Sequence, residues 1–245
     1  MRLFLIALGL SVLGGLGGLM VASGVLLVKD STRAKLVPEL VSYAVGALLG
    51  AAMLGILPEA LHLLTPERVL TTLLIGILVF FVLEKLVLWR HCHTHDCEVH
   101  ESSVVPVLVG DAFHNFVDGA VIGAAVISSV ALGVSTAVAV AAHEIPQELG
   151  DFAILLHAGY SRGRALLLNV ISGLSSALGT MAAFAAFDLV PQIRPYFLAV
   201  SAASFLYVAM ADLIPGLHRG RTDAGSFRQI LLIAAGIGTM AVFGI

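Results

Sequence analysis

Long apolar runs separated by short polar connections recur eight times along the chain, at about 2–28, 37–64, 68–89, 104–129, 131–158, 163–187, 194–216 and 227–245. An α-helix rising ~1.5 Å per residue needs ~20 apolar residues to cross ~30 Å of hydrocarbon, and every run reaches that length. The pattern predicts an all-α integral membrane bundle of eight transmembrane helices, forming a single domain over residues 1–245. The first run is too long for the apolar core of a signal peptide and has only Arg2 before it, so it is expected to stay as a span. The connections leave no room for a separate soluble domain.

Two of the runs are interrupted. His114-Asn115-Phe116-Val117-Asp118-Gly119 lies in the fourth and His143-Glu144-Ile145-Pro146-Gln147-Glu148 in the fifth. Each stretch is about 15 residues from the tight connection Ser128 to Leu132, which places both at one depth, ~20 Å from the turn and near mid-bilayer. An ionisable group there costs ~2.5 to 3.5 kcal/mol on insertion scales, so it needs a partner that lipid cannot supply.

Composition narrows the class. With 59% hydrophobic and 12% charged residues in 245, and a mean hydropathy of +1.02, the apolar side chains exceed what a soluble core of this size can bury. A net charge of −3 without a basic stripe gives no footprint for nucleic acid. Assigning loops alternately to two sides puts Lys29, Arg33, Lys35, Lys85, Arg90, Arg162, Arg164, Arg219, Arg221 and Arg228 on one side, and only Arg2, Arg68 and Arg194 on the other. By the positive-inside rule the first side is cytoplasmic, both termini are outside, and the expected location is the cell membrane.

Pro58-Glu59-Ala60-Leu61-His62 at the end of the second span is echoed by Pro215-Gly216-Leu217-His218 at the end of the seventh. Those spans run in opposite directions, which suggests a 3+2+3 inverted repeat around the central pair, a layout that permits two mirror-related open states. Gly14, Gly15, Gly17 and Gly18, Gly46 and Gly50, and Gly119 and Gly123 have the small-residue spacing that lets helices approach in lipid. Gly119, beside Asp118, is also expected to leave room for a ligand.

His114 and Asp118 are four apart and share a helix face, as do His143 with Gln147 and Glu144 with Glu148. Two such pairs on facing helices can close a shell of four nitrogen and oxygen ligands around a divalent cation. Imidazole with carboxylate suits Zn²⁺ and its borderline neighbours. Pro146 withholds an N–H from the Ala142 carbonyl, so a kink is expected there. Asn115 and Glu144, each about 100° around from its neighbouring histidine, are candidates for a second, harder site, with Asp118 or Gln147 between the two. Asp111 and Asp151 continue the polar face by one turn. Hydrogen-bonded glue between the helices would explain one such pair, but two histidines, three acids, an asparagine and a glutamine at one depth favour a metal site.

On these residues the chain resembles the ZIP (Zrt- and Irt-like) family of divalent metal transporters. The fourth-span signature His-Asn-x-x-Asp/Glu-Gly is matched by His114, Asn115, Asp118 and Gly119. The fifth-span signature of the LIV-1-like subgroup, His-Glu-x-Pro-His-Glu, is matched by His143, Glu144, Pro146 and Glu148, and Gly150-Asp151-Phe152 fits it too. Gln147 stands where that pattern has a second histidine. The resemblance implies a transport site of His114, Asp118, His143 and position 147, with Asn115 and Glu144 in an adjoining one. It also implies uptake of zinc, with Cd²⁺, Fe²⁺, Mn²⁺ and Co²⁺ as other substrates, by an elevator-like or rocking movement. Some members add an acidic ligand from the sixth span, which here offers only Asn169, Ser172, Ser175 and Ser176. Ligand charge left behind when the ion departs predicts proton-linked release.

The connection after the third span, 91–102, holds His91, Cys92, His93, His95, Cys97 and His100 on the cytoplasmic side, and is expected to be a loose secondary metal binder kept reduced. The expected partners are the metal ion and the bilayer, with a homodimer left open. An intramembrane metalloprotease would need a second imidazole four residues after His143, and Gln147 removes it. A metal sensor that binds without transport is the other alternative; metal flux into sealed vesicles separates the two.

Overall fold

The structure, a computed structural model, describes residues 1–91, 104–218 and 224–244. Among them all secondary structure is helical: α1 (Arg2–Leu27), α2 (Asp30–Gly50), a π-helical turn (Ala51–Ile56) leading into α3 (Leu57–Leu63), α4 (Pro66–His91), α5 (Val104–Ser128), α6 (Val130–His157), α7 (Arg162–Gly173) and α8 (Ser175–Leu189). A 3₁₀ turn (Pro191–Ile193) follows, then α9 (Arg194–Tyr207), a second π-turn (Val208–Leu213), α10 (Ile214–His218) and α11 (Ala224–Gly244).

Six helical stretches among the described residues are long and apolar enough to cross a membrane: Arg2–Leu27, Asp30–Leu63, Pro66–Leu83, Arg162–Leu189, Pro191–Leu217 and Ser226–Phe243. The two other expected spans, α5 and α6, have comparable lengths of 25 and 28 residues, but their polar stretches dilute the hydropathy. The peripheral helices turn apolar side chains outward, Leu74, Leu78 and Phe81 on α4 and Phe227, Ile230 and Leu231 on α11. Exteriors of that kind are stable only against lipid, so the chain is a multi-pass membrane protein.

Proline explains the two π-turns. Pro58 and Pro215 are each the second residue after such a turn, where the ring would collide with the carbonyl four residues back and supplies no N–H to it. Widening the preceding turn relieves that collision without ending the helix. Pro146, by contrast, lies inside an α6 that stays helical from Val130 to His157.

Ser129 alone separates α5 from α6. Its extended backbone reverses the chain, and its hydroxyl accepts from the Leu132 N–H at 3.0 Å as an N-cap. The two polar stretches are therefore brought side by side. Around this pair, α8 packs on α5 and α1 on α6. The sixth span, expected as one helix, is bent at Leu174 into α7 and α8. The bend lets Ser175 donate to the Ala112 carbonyl at 2.6 Å and seats α8 backbone to backbone on α5. Gly119 faces that contact: a Cβ there would strike the Ser176 carbonyl, so its role is helix packing and the expected space for a ligand is absent.

Candidate metal centre

Helical spacing puts His114 one turn before Asp118 on α5, and His143 and Glu144 at the facing level of α6. Their ligand atoms converge. His114 Nε2 is 3.1 Å from His143 Nε2, 3.5 Å from Asp118 Oδ2 and 3.6 Å from Glu144 Oε1. His143 Nε2 is 3.0 Å from Asp118 Oδ2 and 3.6 Å from Glu144 Oε1. Four ligands held at ~2.0–2.1 Å by a tetrahedral zinc ion lie roughly 3.3 Å from one another, so these spacings are those of a zinc shell.

Protonation reinforces the geometry. His143 Nδ1 is 3.0 Å from the Ala139 carbonyl, which can only accept, so the proton of the neutral ring is on Nδ1 and Nε2 presents a lone pair. That lone pair meets the Asp118 carboxylate and the other imidazole nitrogen. Asp118 Oδ2 and both Glu144 oxygens are buried without a hydrogen-bond partner. Acceptors crowded on acceptors in a dry site repel unless a proton or a cation stands between them. His114 is the most open of the four, with 24% of its side chain exposed against 2% or less for the others.

A second group, Asp111, Glu144 and Glu148, also has its ligand atoms within 4.8 Å of one another, and Glu144 belongs to both. Asp111 is held in place by two amides: Asn115 Nδ2 donates to Oδ1 at 3.0 Å and Gln147 Nε2 at 3.1 Å, while Oδ2 is buried without a partner. Glu148 is fully buried with neither oxygen paired. Asp151 lies nearly buried beyond this group and joins neither cluster.

The Gln147 amide nitrogen is turned to Asp111 at 3.1 Å, and Glu144 gathers with His114, Asp118 and His143 on one side and with Asp111 and Glu148 on the other. The amide nitrogen is a donor and finds an acceptor in the Asp111 carboxylate, whereas the Glu144 carboxylate can only accept and lies against the histidines. Asn115 supports Asp111, donating from Nδ2 to both its backbone carbonyl and its Oδ1. On the sixth span, Ser175 and Ser176 spend their hydroxyls on backbone carbonyls, whereas Asn169 and Ser172 are buried with unpaired polar atoms. Of the loop residues, His91 ends α4, while Cys92, His93, His95, Cys97 and His100 lie outside the described residues.

Three neighbours of the site were not connected with it from sequence, Gly18 being read only as a helix-packing residue. The Ala139 carbonyl, one turn before His143, was open to discovery from helical spacing alone. Gly18 on α1 sits against Glu144, where a Cβ would collide with the glutamate's own Cβ, so α1 closes over the site. The Phe205 ring lies 5.9 Å from the His143 ring, on a helix whose proximity no local pattern announces.

The model of the "ZIP Zinc transporter" family matches residues 89–244, which include both polar stretches. The chain is 46% identical to "Zinc transporter ZIP4" of Homo sapiens over 115 residues, 47% of this chain and 18% of that one. It is 39% identical to "Zinc transporter foi" of Drosophila melanogaster over 140 residues, 57% of this chain and 20% of that one. To "Zinc transporter ZIP6" of Homo sapiens it is also 39% identical over 140 residues, 57% and 18% of the two chains. It thus spans about a fifth of the length of the curated relatives it matches. With a family match over more than half its length and relatives of this kind, the chain belongs to the ZIP zinc transporter family, in its LIV-1-like branch.

Proposed function

We propose that this protein carries divalent metal ions, zinc before others, across a membrane into the cytoplasm, and that His114, Asp118, His143 and Glu144 are the station where the ion loses its water. The observation that carries this is the set of five ligand-atom distances between 3.0 and 3.6 Å, closed by acceptors that nothing in the protein satisfies. Asp111 and Glu148, with Glu144 shared, form a second station of oxygen ligands, so an ion passes from a nitrogen-and-oxygen shell to a harder one by exchanging partners on one carboxylate. Asp151 continues that route, and Asn115 and Gln147 steady it through Asp111. Relatives named as zinc transporters support zinc as the cargo; Cd²⁺, Fe²⁺, Mn²⁺ and Co²⁺ share enough ligand chemistry to compete.

Eight spans in a 3+2+3 inverted repeat give the movement its frame. In its support, swapping helices one to three for six to eight, and four for five, interchanges the most extensive helix pairs: α1 on α6 becomes α8 on α5, and α2 on α11 becomes α9 on α4. The two π-turn-proline devices occupy matching places in the two halves. Mirror-related halves are suited to an elevator-like or rocking exchange between outward and inward openings.

Radioactive zinc entering sealed proteoliposomes tests the proposal. His143→Ala should lower uptake at limiting zinc by at least about tenfold, since a structural four-ligand site holds ~10–16 kcal/mol that its ligands share. Because ligands must be deprotonated to bind, uptake should change between about pH 5.5 and 8. Wild-type uptake no faster than that of empty vesicles would overturn the transport reading, and a flat pH profile would remove the proton link.

A further inference from the structure

A cavity of about 470 Å³ opens between α1, α2, α6 and α7, away from the metal stations, within the size range of ordinary ligand pockets. Its walls include Met20, Phe152, Leu156 and Leu166, and the guanidinium-bearing residues Arg33 and Arg162 join them. Arg33 reaches Asp30 at 2.7 Å, but that aspartate is 91% exposed, so the pair is screened and weak. Arg162 has no ion-pair partner among the described residues. Ser23 Oγ, on the same lining, is buried without a hydrogen bond.

This chemistry selects its occupant. Two guanidiniums repel the transported cation, and a free inorganic anion would leave the apolar walls empty. A molecule with an anionic head and a hydrocarbon tail satisfies both parts, and in a bilayer that molecule is a phospholipid. The orientation proposed above, on which this rests, puts Arg33 and Arg162 at the cytoplasmic face, the leaflet enriched in anionic lipid, where basic pockets between spans hold such headgroups.

We propose that the cavity is a binding site for an anionic phospholipid of the cytoplasmic leaflet, with its phosphate on Arg33 and Arg162 and one acyl chain along Met20, Phe152, Leu156 and Leu166. Phe152 is one turn beyond Glu148 on α6, so the lipid braces the helix that carries half of the metal site against α1.

The purified full chain in neutral detergent tests this by native mass spectrometry and thermal shift with phosphatidylglycerol, phosphatidylcholine or inorganic phosphate. Phosphatidylglycerol should be retained and should raise the melting temperature more than phosphatidylcholine does, while inorganic phosphate should do neither. Arg33→Gln with Arg162→Gln should weaken phosphatidylglycerol retention about thirtyfold, two cationic contacts being removed. Gly24→Phe keeps both arginines and fills the cavity, since a Cβ at Gly24 meets nothing within 4 Å; it should abolish the preference even if the double variant fails to fold. Arg228→Gln, at a basic residue paired with Glu39 elsewhere, should leave it intact. Equal retention of both lipids by wild type, or a preference that survives Gly24→Phe, would overturn the proposal. An equal response to inorganic phosphate would reduce it to a simple anion site. Lipid retention is read without transport, so failure of the uptake assay leaves this result standing, and the reverse holds too.

Discussion

Helix α5 has two polar interfaces that obey opposite rules. Toward α8, two hydroxyls bridge to α5 carbonyls, Ser175 to Ala112 at 2.6 Å and Thr180 to Gly119 at 2.8 Å, and Ser176 is satisfied by the Gly173 carbonyl of its own span and the Ser11 carbonyl of α1, with glycines letting the α5 and α8 backbones touch. Toward α6, carboxylates and imidazoles meet with their acceptors facing inward and unpaired. The first interface is complete within the protein, so it can be rigid. The second leaves its acceptors unsatisfied within the protein, and on the function proposed above a cation completes it. Glue and binding site thus differ in whether the hydrogen-bond account closes, not in how many polar residues each contains.

The largest expected effect comes from breaking the complete interface. Gly119→Leu drives a side chain into the α8 backbone, and because ordinary overpacking already costs about 1–3 kcal/mol, a collision with backbone should prevent folding. Size-exclusion in detergent should show aggregate in place of a single peak; a normal peak with intact zinc binding would mean that α8 is not the rigid support. Next in size is Glu144→Gln, which removes a charge with little change of shape. Zinc affinity by calorimetry should fall about 100-fold, because one of four ligands sharing ~10–16 kcal/mol is replaced by a neutral amide. The metal-free protein should meanwhile melt about 2–4 °C higher, relieved of a buried unpaired carboxylate worth about 1 kcal/mol. A variant that melts lower and binds zinc normally would make Glu144 structural. The smallest effect is that of Thr180→Val, which removes one satisfied hydroxyl. The melting temperature should drop by about 2–4 °C while zinc affinity stays unchanged, and a matching loss of affinity would show that the two interfaces are coupled.

Much of this was legible in the sequence because it depends on spacing along one helix. The apolar runs mark the helices, the equal distance of His114 and Glu144 from the Ser129 turn fixes a shared depth, and the i, i+4 pairs fix a shared face. The bend at Leu174 was not legible: Asn169 to Ser176 reads as a polar patch in a continuous span, and only the docking of Ser175 on Ala112 shows why the helix turns there. Gly14, Gly15, Gly17 and Gly18 look alike in the sequence as well. Yet Gly18 closes on Glu144 and Gly15 on Asn115, while a Cβ on Gly17 would meet nothing within 4 Å.

By itself the chain determined which elements are helices, which two carry ionisable groups to mid-depth, and which ligand types gather there, since those follow from the ~3.6-residue period and from the cost of charge in hydrocarbon. The tertiary structure alone decided that Glu144 gathers with His114, Asp118 and His143 while the Gln147 amide turns to Asp111, that Phe205 and Gly18 border this group, and that α1, α2, α6 and α7 enclose a cavity with two arginines. Periodicity fixes a residue's angle on its own helix. How far that helix is rotated toward its neighbour is set by side chains on other elements, and adjacent residues about 100° apart can then reach one point from either side of the contact line.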